Sequence, residues 1–325
     1  MTVAFRKIQI GLESTRGTAV AADKLLIGAL TMTPEAIWHR PVDERNSLAE
    51  FKRSILVAQK STLRFEGDAT YDQLIDFLSM AVKGAISPAA VESTGRVWTF
   101  TPNTTSKNVQ DSYTFEYGDN VQAWETAFTM ISNLELSIAL NEVMTVRADM
   151  FGKLAAKTSF TGAITTPTSV TEVVANHMKA YIDGTWANLG STEKATLVAG
   201  ATVRLATGVT PVKYADGSLD MSAVSESKTH LELDLDLISS TAFVTEYDAY
   251  IAGTDRAIRL ELTGPIAVGT TNYKVTIDCF GRYVNAPELF GERDGENMIR
   301  LQLHSHEDAS GNHFQFAVTN LITAV

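Results

Sequence analysis

The histidines near the C-terminal end of the sequence form the group with the clearest capacity for chemistry. His304 and His306 are two residues apart, and His313 follows shortly after. Histidines at positions i and i+2 lie on one side of a β-strand, and imidazole is a common zinc ligand. A third ligand of fixed geometry is not evident, and the alternative is a strand that ends in the turn 308–312. We therefore expect neither a metal nor a cofactor.

Two aspartates and a cysteine are the other candidates for catalysis. Asp149 and Asp278 lie in equivalent places in a repeated motif, so we expect each to cap a turn before Phe-Gly rather than to form an active site. Cys279, the single cysteine, lies in a segment of alternating apolar residues and is expected to be a small buried side chain. The sequence has no G-x-S-x-G, phosphate-binding glycine loop, H-E-x-x-H or C-x-x-C motif. An enzyme is not expected.

The repeated motif indicates an internal duplication. Residues 146–153 and 275–282 both read V-x-x-D-x-F-G-[K/R], and the apolar stripes of 74–84 and 243–253 match at one constant offset. Such long-range similarity is typical of two copies of one structural unit. Together with the chain length, it predicts two related tandem domains, 1–165 and 166–325, joined in a threonine-rich stretch.

The elements that position these residues are mostly strands. Apolar and polar residues alternate through most of the chain, which is the pattern of half-buried β-strands. Two helices are predicted, Tyr71 to Val82 after the N-cap Thr70 and Thr241 to Ala252 after Ser240. The pattern predicts a sheet-rich, mainly β fold in which each half carries a single helix packed on its sheet.

The two copies differ in length. The first carries an insertion at about 85–131 and a long charged loop at 39–60. Apolar residues cluster at the tip of that loop, where few are expected, and they predict an interaction arm. The alternative is a solvated hairpin. The arm candidates are Leu48, Phe51, Ile55 and Leu56.

Acidic side chains along one side of the strands suggest a surface that faces an aqueous channel. The net charge of −11 at pH 7 argues against a protein that grips nucleic acid, because binding requires cations against the phosphates. In 231–237 leucines alternate with acids, and 64–68 shows a weaker version. The alternative is an ordinary solvated sheet face. The candidates are Glu66, Asp68, Glu232, Asp234 and Asp236.

Several short segments resemble the major tail tube proteins of long, non-contractile-tailed bacteriophages. They are Ile10 to Val20 (IGLESTRGTAV), Tyr181 to Trp186 (YIDGTW), Leu189 to Thr192 (LGST), Ala257 to Leu260 (AIRL) and Asp308 to Asn312 (DASGN). The resemblance implies that each domain is a β-sandwich or barrel with one flanking helix. It also implies that six such domains close a ring, with inner sheets joined into a continuous barrel and rings stacked into a tube. It also implies a loop that reaches the neighbouring ring.

The same resemblance implies the partners. The chain is expected to bind other copies of itself, the tape measure protein, and the tail terminator and distal tail proteins, while DNA passes without specific binding. Two domains per chain suggest a trimeric ring with pseudo-sixfold symmetry. The expected location is the virion tail, assembled in the bacterial host cytoplasm. No membrane association is expected, because no apolar run approaches the ~18 residues of a membrane helix.

Two other functions are compatible with the sequence. A tail terminator or a decoration protein would also suit a duplicated chain with an arm. A two-domain carbohydrate-binding β-sandwich would present aromatic rings to sugar, although the tryptophans are scattered and packing is the alternative for each. The tryptophans are Trp38, Trp98, Trp124 and Trp186.

Overall fold

The fold is mainly β, as predicted, with antiparallel pairing throughout. The computed structural model describes residues 5–43, 46, 48–167, 169–287, 289, 291–293 and 296–325. Within these ranges the chain forms twenty β-strands and the helices α1 (Leu74–Ala81) and α2 (Thr241–Ala252). The strands are β1 Lys7–Leu12, β2 Lys24–Leu26, β3 Ala29–His39, β4 Ile55–Asp68, β5 Ala89–Val91, β6 Gly95–Phe100, β7 Tyr113–Gly118, β8 Ala123–Ala139, β9 Thr145–Gly152, β10 Ala156–Thr158, β11 Met178–Asp183, β12 Val198–Ala206, β13 Val209–Val212, β14 Ala223–Glu226, β15 His230–Ile238, β16 Arg256–Val268, β17 Thr271–Tyr283, β18 Gly291–Arg293, β19 Glu296–Ser305 and β20 Phe314–Asn320.

One antiparallel sheet runs through both halves of the chain. Its strand order is β3-β4-β9-β8-β12-β15-β19, and we call it the main sheet. The alternating sequence pattern places one side of each strand in the core, because successive side chains point to opposite faces. A row of buried residues crosses five strands in register, each at most 2% exposed. They are Val146, Leu136, Val203, Leu233 and Leu303.

Strand β8 serves two sheets. Its first part pairs with β7 and β10, and its second part pairs with β9 and β12. Phe128 has a φ of 56°, and the register shifts between Ile131 and Asn133. Such irregularities bend a strand at the corner between sheets. The bend connects the main sheet to a second sheet of β2, β1, β7, β8 and β10.

The predicted insertion 85–131 supplies strands to the second half of the chain. It contains β5, β6, β7 and the start of β8, and β6 pairs with β20. The buried Trp98 of β6 donates its Nε1–H to Asn320 Oδ1 at 3.1 Å. One cluster of buried residues runs through both halves. The division at residue 165 stays a prediction, and the two parts on either side of it share strand pairing and core.

The two helices pack differently. All eight residues of α1 are buried. The predicted start at Tyr71 is wrong by three residues, because the helix begins at Leu74 with Gln73 as its N-cap residue. Thr70 Oγ1 accepts the backbone N–H of Gln73 at 3.1 Å in the turn that precedes the helix. Helix α2 has the predicted bounds, accepts Phe243 N–H at the Ser240 side chain and ends at Gly253 with φ 63°. Here the predicted stripe is partly wrong, because Val244 and Ile251 are 52% and 64% exposed.

A buried carboxylate explains which side of α2 faces the core. Glu246 is 2% exposed, and its carboxylate lies 2.8 Å from Arg256 Nε and 3.6 Å from Lys194 Nζ. Because a buried charge requires partners, the ion cluster orients the Glu246 side of the helix inward. Phe243 and Ala249 are buried with it, and Val244 remains outside.

The repeated motif lies in strands, so the expected turn-capping role of its aspartates is wrong. Asp149 pairs across β4·β9 with Arg64, and Asp278 pairs across β16·β17 with Arg259. The Arg259 guanidinium donates to both oxygens of the buried Asp278, at 2.7 and 2.8 Å. The motif aspartates therefore form cross-strand ion pairs.

The motif glycines serve close packing rather than an unusual backbone conformation. Neither Gly152 nor Gly281 has a positive φ. A Cβ at Gly281 would lie 2.0 Å from the carbonyl oxygen of His304, and one at Gly152 would lie 2.5 Å from Thr126 Cγ2. A side chain at Gly281 would force the backbone of β19 away, and one at Gly152 would require the Thr126 side chain to move.

The segment after β1 is organised around one buried carboxylate. Glu13, 7% exposed, accepts the backbone N–H groups of Gly17 and Phe128 at 2.7 and 2.6 Å. It also accepts the hydroxyls of Ser112 and Thr114 at 2.7 and 3.0 Å. Hydrogen bonds of this kind stabilise an ionised group out of water. Glu13 thereby connects the IGLESTRGTAV segment to β7 and to the corner of β8.

Candidate functional site

The outer face of the main sheet carries a row of alternating charges. On six successive strands, each residue of the row is the register partner of the next. The row is Glu66, Arg147, Glu135, Arg204, Glu232 and His304. Strand alternation puts these residues opposite the buried row, and cross-strand neighbours of opposite charge stabilise a sheet. We call this surface the charged face.

Ion pairs connect the row from strand to strand. Arg147 Nη2 lies 2.8 Å from Glu66 Oε1, and Arg147 Nη1 lies 4.0 Å from Glu135. Arg204 Nε lies 3.0 Å from the other oxygen of Glu135. Hydrogen bonds from Arg147 and Arg64 hold the pKa of Glu66 below its ordinary value. Each arginine of the row thus lies between carboxylates of its neighbours.

The five acidic residues that the sequence predicts to face an aqueous channel have different environments on the charged face. Glu66 and Asp68 are exposed, and Glu232 and Asp236 are half-buried. Asp234 is only 6% exposed, and its Oδ2 lies 2.6 Å from Arg204 Nη1. The expectation that every acidic side chain of β15 meets water is therefore wrong at Asp234. Asp236 Oδ1 accepts Arg300 Nε at 2.8 Å.

The charged face therefore mixes both signs with an excess of acid. Its main charged side chains are four arginines and seven carboxylates. They are Arg64, Arg147, Arg204 and Arg300, with Glu66, Asp68, Glu135, Asp149, Glu232, Asp234 and Asp236. The sequence pattern of β15 alone indicated a purely acidic surface, and the arginines come from strands that are distant in sequence.

Arg204→Met is expected to destabilise the protein by about 1–3 kcal/mol, because it leaves the buried Asp234 carboxylate without its cationic partner. Arg64→Met is the matched control. Arg64 pairs with Glu66 in an exposed setting, where an ion pair contributes about 0–1 kcal/mol. Urea unfolding of both variants measures the difference. Equal destabilisation by the two substitutions would refute the burial argument.

The histidines of the predicted cluster separate into different surroundings. His306 Nε2 lies 3.4 Å from Asp255, and His313 Nε2 lies 2.8 Å from Ser305 Oγ, where burial lowers the pKa of the ring. His304 instead faces Glu232 and His230 of β15. The sequence reasoning missed His230, because only the register of β15 against β19 brings it near His304.

The arm candidates lie on a projecting hairpin. Strand β9 pairs with β4 from Ser61 onward, so the earlier part of β4 has β3 as its paired strand. Strand β4 begins at Ile55, and the predicted loop 39–60 is reduced to an irregular segment at 40–54, of which 44, 45 and 47 lie outside the described residues. Ile55 and Leu56 therefore belong to the hairpin strand.

The hairpin exposes an unusual number of large apolar side chains. Leu48 is fully exposed, Ile55 is 47% exposed, Phe51 is 37% exposed and Leu56 is half-buried. Four more residues of the same hairpin are at least 44% exposed. They are Ile37, Trp38, Val42 and Val57. Clustered exposure of this kind marks an interaction surface.

The cysteine considered for catalysis is buried, and the tryptophans considered for sugar binding lie on separate elements. Cys279 is buried, as expected, and burial raises its thiol pKa. Of the four tryptophans, Trp98 is fully buried, and the others lie on β3, on β8 and in the 3-10 turn Trp186–Asn188. They do not share an element that would present them together to a sugar.

Comparison with known proteins identifies the family. Residues 6–303 match the family described as phage tail tube protein. A search of curated proteins gave no match. Among the described residues, no helix has the length and apolarity required to cross a membrane. Because the match covers most of the chain, including the hairpin and the charged face as far as residue 303, this protein belongs to the phage tail tube protein family and is a structural component of a phage tail.

Proposed function

We propose that this protein polymerises into stacked rings that form the tail tube, the conduit for DNA during ejection. The observation that carries the proposal is the main sheet, a continuous surface through both halves of the chain with one charged, acid-rich face. Family membership favours such a structural role over catalysis. The face then lines the bore, and the core lies behind it.

The charges of this face suit a passage that must not retain DNA. The carboxylate excess repels phosphates, and binding requires cations that neutralise them. The arginines that interrupt the acids are held by carboxylates of adjacent strands, as Arg147 is by Glu66 at 2.8 Å and Arg300 is by Asp236 at 2.8 Å. A polyanion would have to displace these ion pairs before it gained a contact.

An open strand edge provides the means of closing a ring. Among the described residues, the paired strand of β3 is β4, so β3 has a free side, whereas β11 pairs with β16 and is bonded on its other side to residues 192–194. Exposed edges tend to pair with another chain, and head-to-tail pairing closes a ring. If the chain is two tandem domains, 1–165 and 166–325, three chains complete a ring of pseudo-sixfold symmetry.

The hairpin and the ring surfaces would contact the other tail components. The exposed apolar side chains of the hairpin suit an intermolecular contact, and we assign them to the neighbouring ring of the stack. The tape measure protein would occupy the bore, and the terminator and distal tail proteins would cap the two ends. Assembly would take place in the host cytoplasm.

Electron microscopy of concentrated protein, with mass measurement of the isolated rings, tests this proposal. We expect hollow tubes built of rings that contain three chains each. Rings of six chains would contradict the proposed trimeric ring but not the proposed tube. Protein that stays monomeric at every concentration and ionic strength would contradict the tube itself.

A further inference from the structure

Two histidines and a glutamate converge on the charged face. His230 and Glu232 lie on β15, and His304 is the register partner of Glu232 on β19. One ligand atom from each side chain lies within 4.8 Å of the other two. In the part of the chain that the structure describes, this is the one group of three or more potential metal ligands. We propose that it binds a divalent transition metal ion of the zinc class.

The distances fit a tetrahedral ion. His230 Nε2 lies 3.3 Å from Glu232 Oε1, and His304 Nε2 lies 3.6 Å from the same oxygen. Bonds of about 2.0–2.1 Å place two ligands of tetrahedral zinc about 3.3 Å apart. Two nitrogens therefore already lie near the required separation from one carboxylate oxygen. The three side chains are half-exposed, which leaves them room to rotate toward one ion.

The neighbouring groups support this ligand set. Gln302 Nε2 donates to Glu232 Oε2 at 3.4 Å, which orients the carboxylate so that Oε1 faces the imidazoles. The nearby cations are paired elsewhere: Arg204 with Asp234 at 2.6 Å and Arg282 with Asp255 at 2.8 Å. They therefore do not occupy the position of the ion.

The ligand types select the class of metal. Two imidazoles and one carboxylate suit zinc, cobalt or nickel, whereas calcium and magnesium take oxygen ligands. Three protein ligands leave the fourth position to water. The ion would join β15 to β19 through their side chains. This binding depends only on the fold of one chain and not on tube assembly.

Calorimetric titration of the purified full-length protein with ZnCl₂ tests the inference, with the visible d–d absorption of Co²⁺ as a second readout. We expect saturable binding of one ion per chain. At a zinc concentration about 100-fold above the Kd, we expect Tm to rise by about 5 °C. Wild-type protein without saturable one-to-one binding would overturn the site.

Substitutions locate the ion. His304→Ala and His230→Ala should each weaken binding by at least about 100-fold, since loss of an outer-shell partner alone costs about 10- to 100-fold. If either alanine variant does not fold, Glu232→Gln replaces it, because this substitution preserves the size of the side chain. Glu232→Gln should also weaken zinc binding, since it removes the ligand carboxylate. His177→Ala removes an exposed histidine in the 3-10 turn Ala175–His177 and should bind zinc as wild type does. Binding that survives loss of each ligand would place the metal elsewhere and overturn the inference.

Discussion

Leu48→Ser/Phe51→Ser is expected to leave the protein folded and to prevent its rings from stacking into tubes. Both side chains are exposed on the hairpin, so the substitutions remove little buried contact, and each should change the free energy of unfolding by no more than about 0.5 kcal/mol. In the proposed tube these side chains enter the contact with the next ring, where apolar residues supply much of the binding free energy. Sedimentation and electron microscopy measure the loss.

A matched control is provided by α2. Val244→Ser/Ile251→Ser also replaces two exposed apolar residues, at 52% and 64% exposure, on a surface to which we assign no contact. This variant should form tubes as wild type does. Tubes formed equally well by the hairpin variant would show that the hairpin is not an assembly arm.

Glu13→Ala is expected to destabilise the folded chain by about 3–5 kcal/mol. The substitution leaves four donors without their acceptor, and a buried unsatisfied donor costs about 1–3 kcal/mol, partly offset where water enters. Two of the donors are the backbone N–H groups of Gly17 and Phe128, which cannot turn away to other partners. Denaturant unfolding at neutral pH provides the measurement.

Two further substitutions show whether the acceptor role is responsible. Glu13→Gln preserves the size of the side chain but replaces one acceptor oxygen with a donor, so we expect a loss of about 1–3 kcal/mol. Glu142→Ala removes an exposed glutamate and should cost no more than about 0.5 kcal/mol. If Glu13→Ala were as mild as Glu142→Ala, the hydrogen bonds to Glu13 would not hold this segment in place.

Local sequence signals predicted the elements well where one pattern dominated. Helix α2 begins after Ser240 and ends before Gly253, as the capping residues indicated. The alternation of β15 placed its four leucines in the core. Both features depend on residues that are close in sequence, which is why the pattern sufficed.

Features that depend on strand register could not be predicted from the sequence. Nothing near Asp234 indicates that Arg204 covers it, because the contact arises from the pairing of β12 with β15. The pairing of β8 with β12, which makes one sheet of the two halves, likewise joins segments far apart in the chain. The meeting of His230 with His304 has the same origin.

The orientation of α2 shows a different limit of prediction from sequence. Apolar spacing favoured a stripe that includes Val244 and Ile251, whereas the buried Glu246 pairs with Arg256 and Lys194 and directs another side inward. A charged residue in a helix is ordinarily placed toward water. Its burial here depends on partners that the helix sequence does not contain.

A cryo-electron microscopy reconstruction of the assembled protein tests the central claim most directly, because it shows which surface of each chain lines the bore. We predict that the charged face is innermost, with Glu66, Asp68 and Glu232 directed into the channel and the hairpin in contact with the adjacent ring. A tube in which those carboxylates lie on the outer wall, with a different face around the bore, would contradict the account.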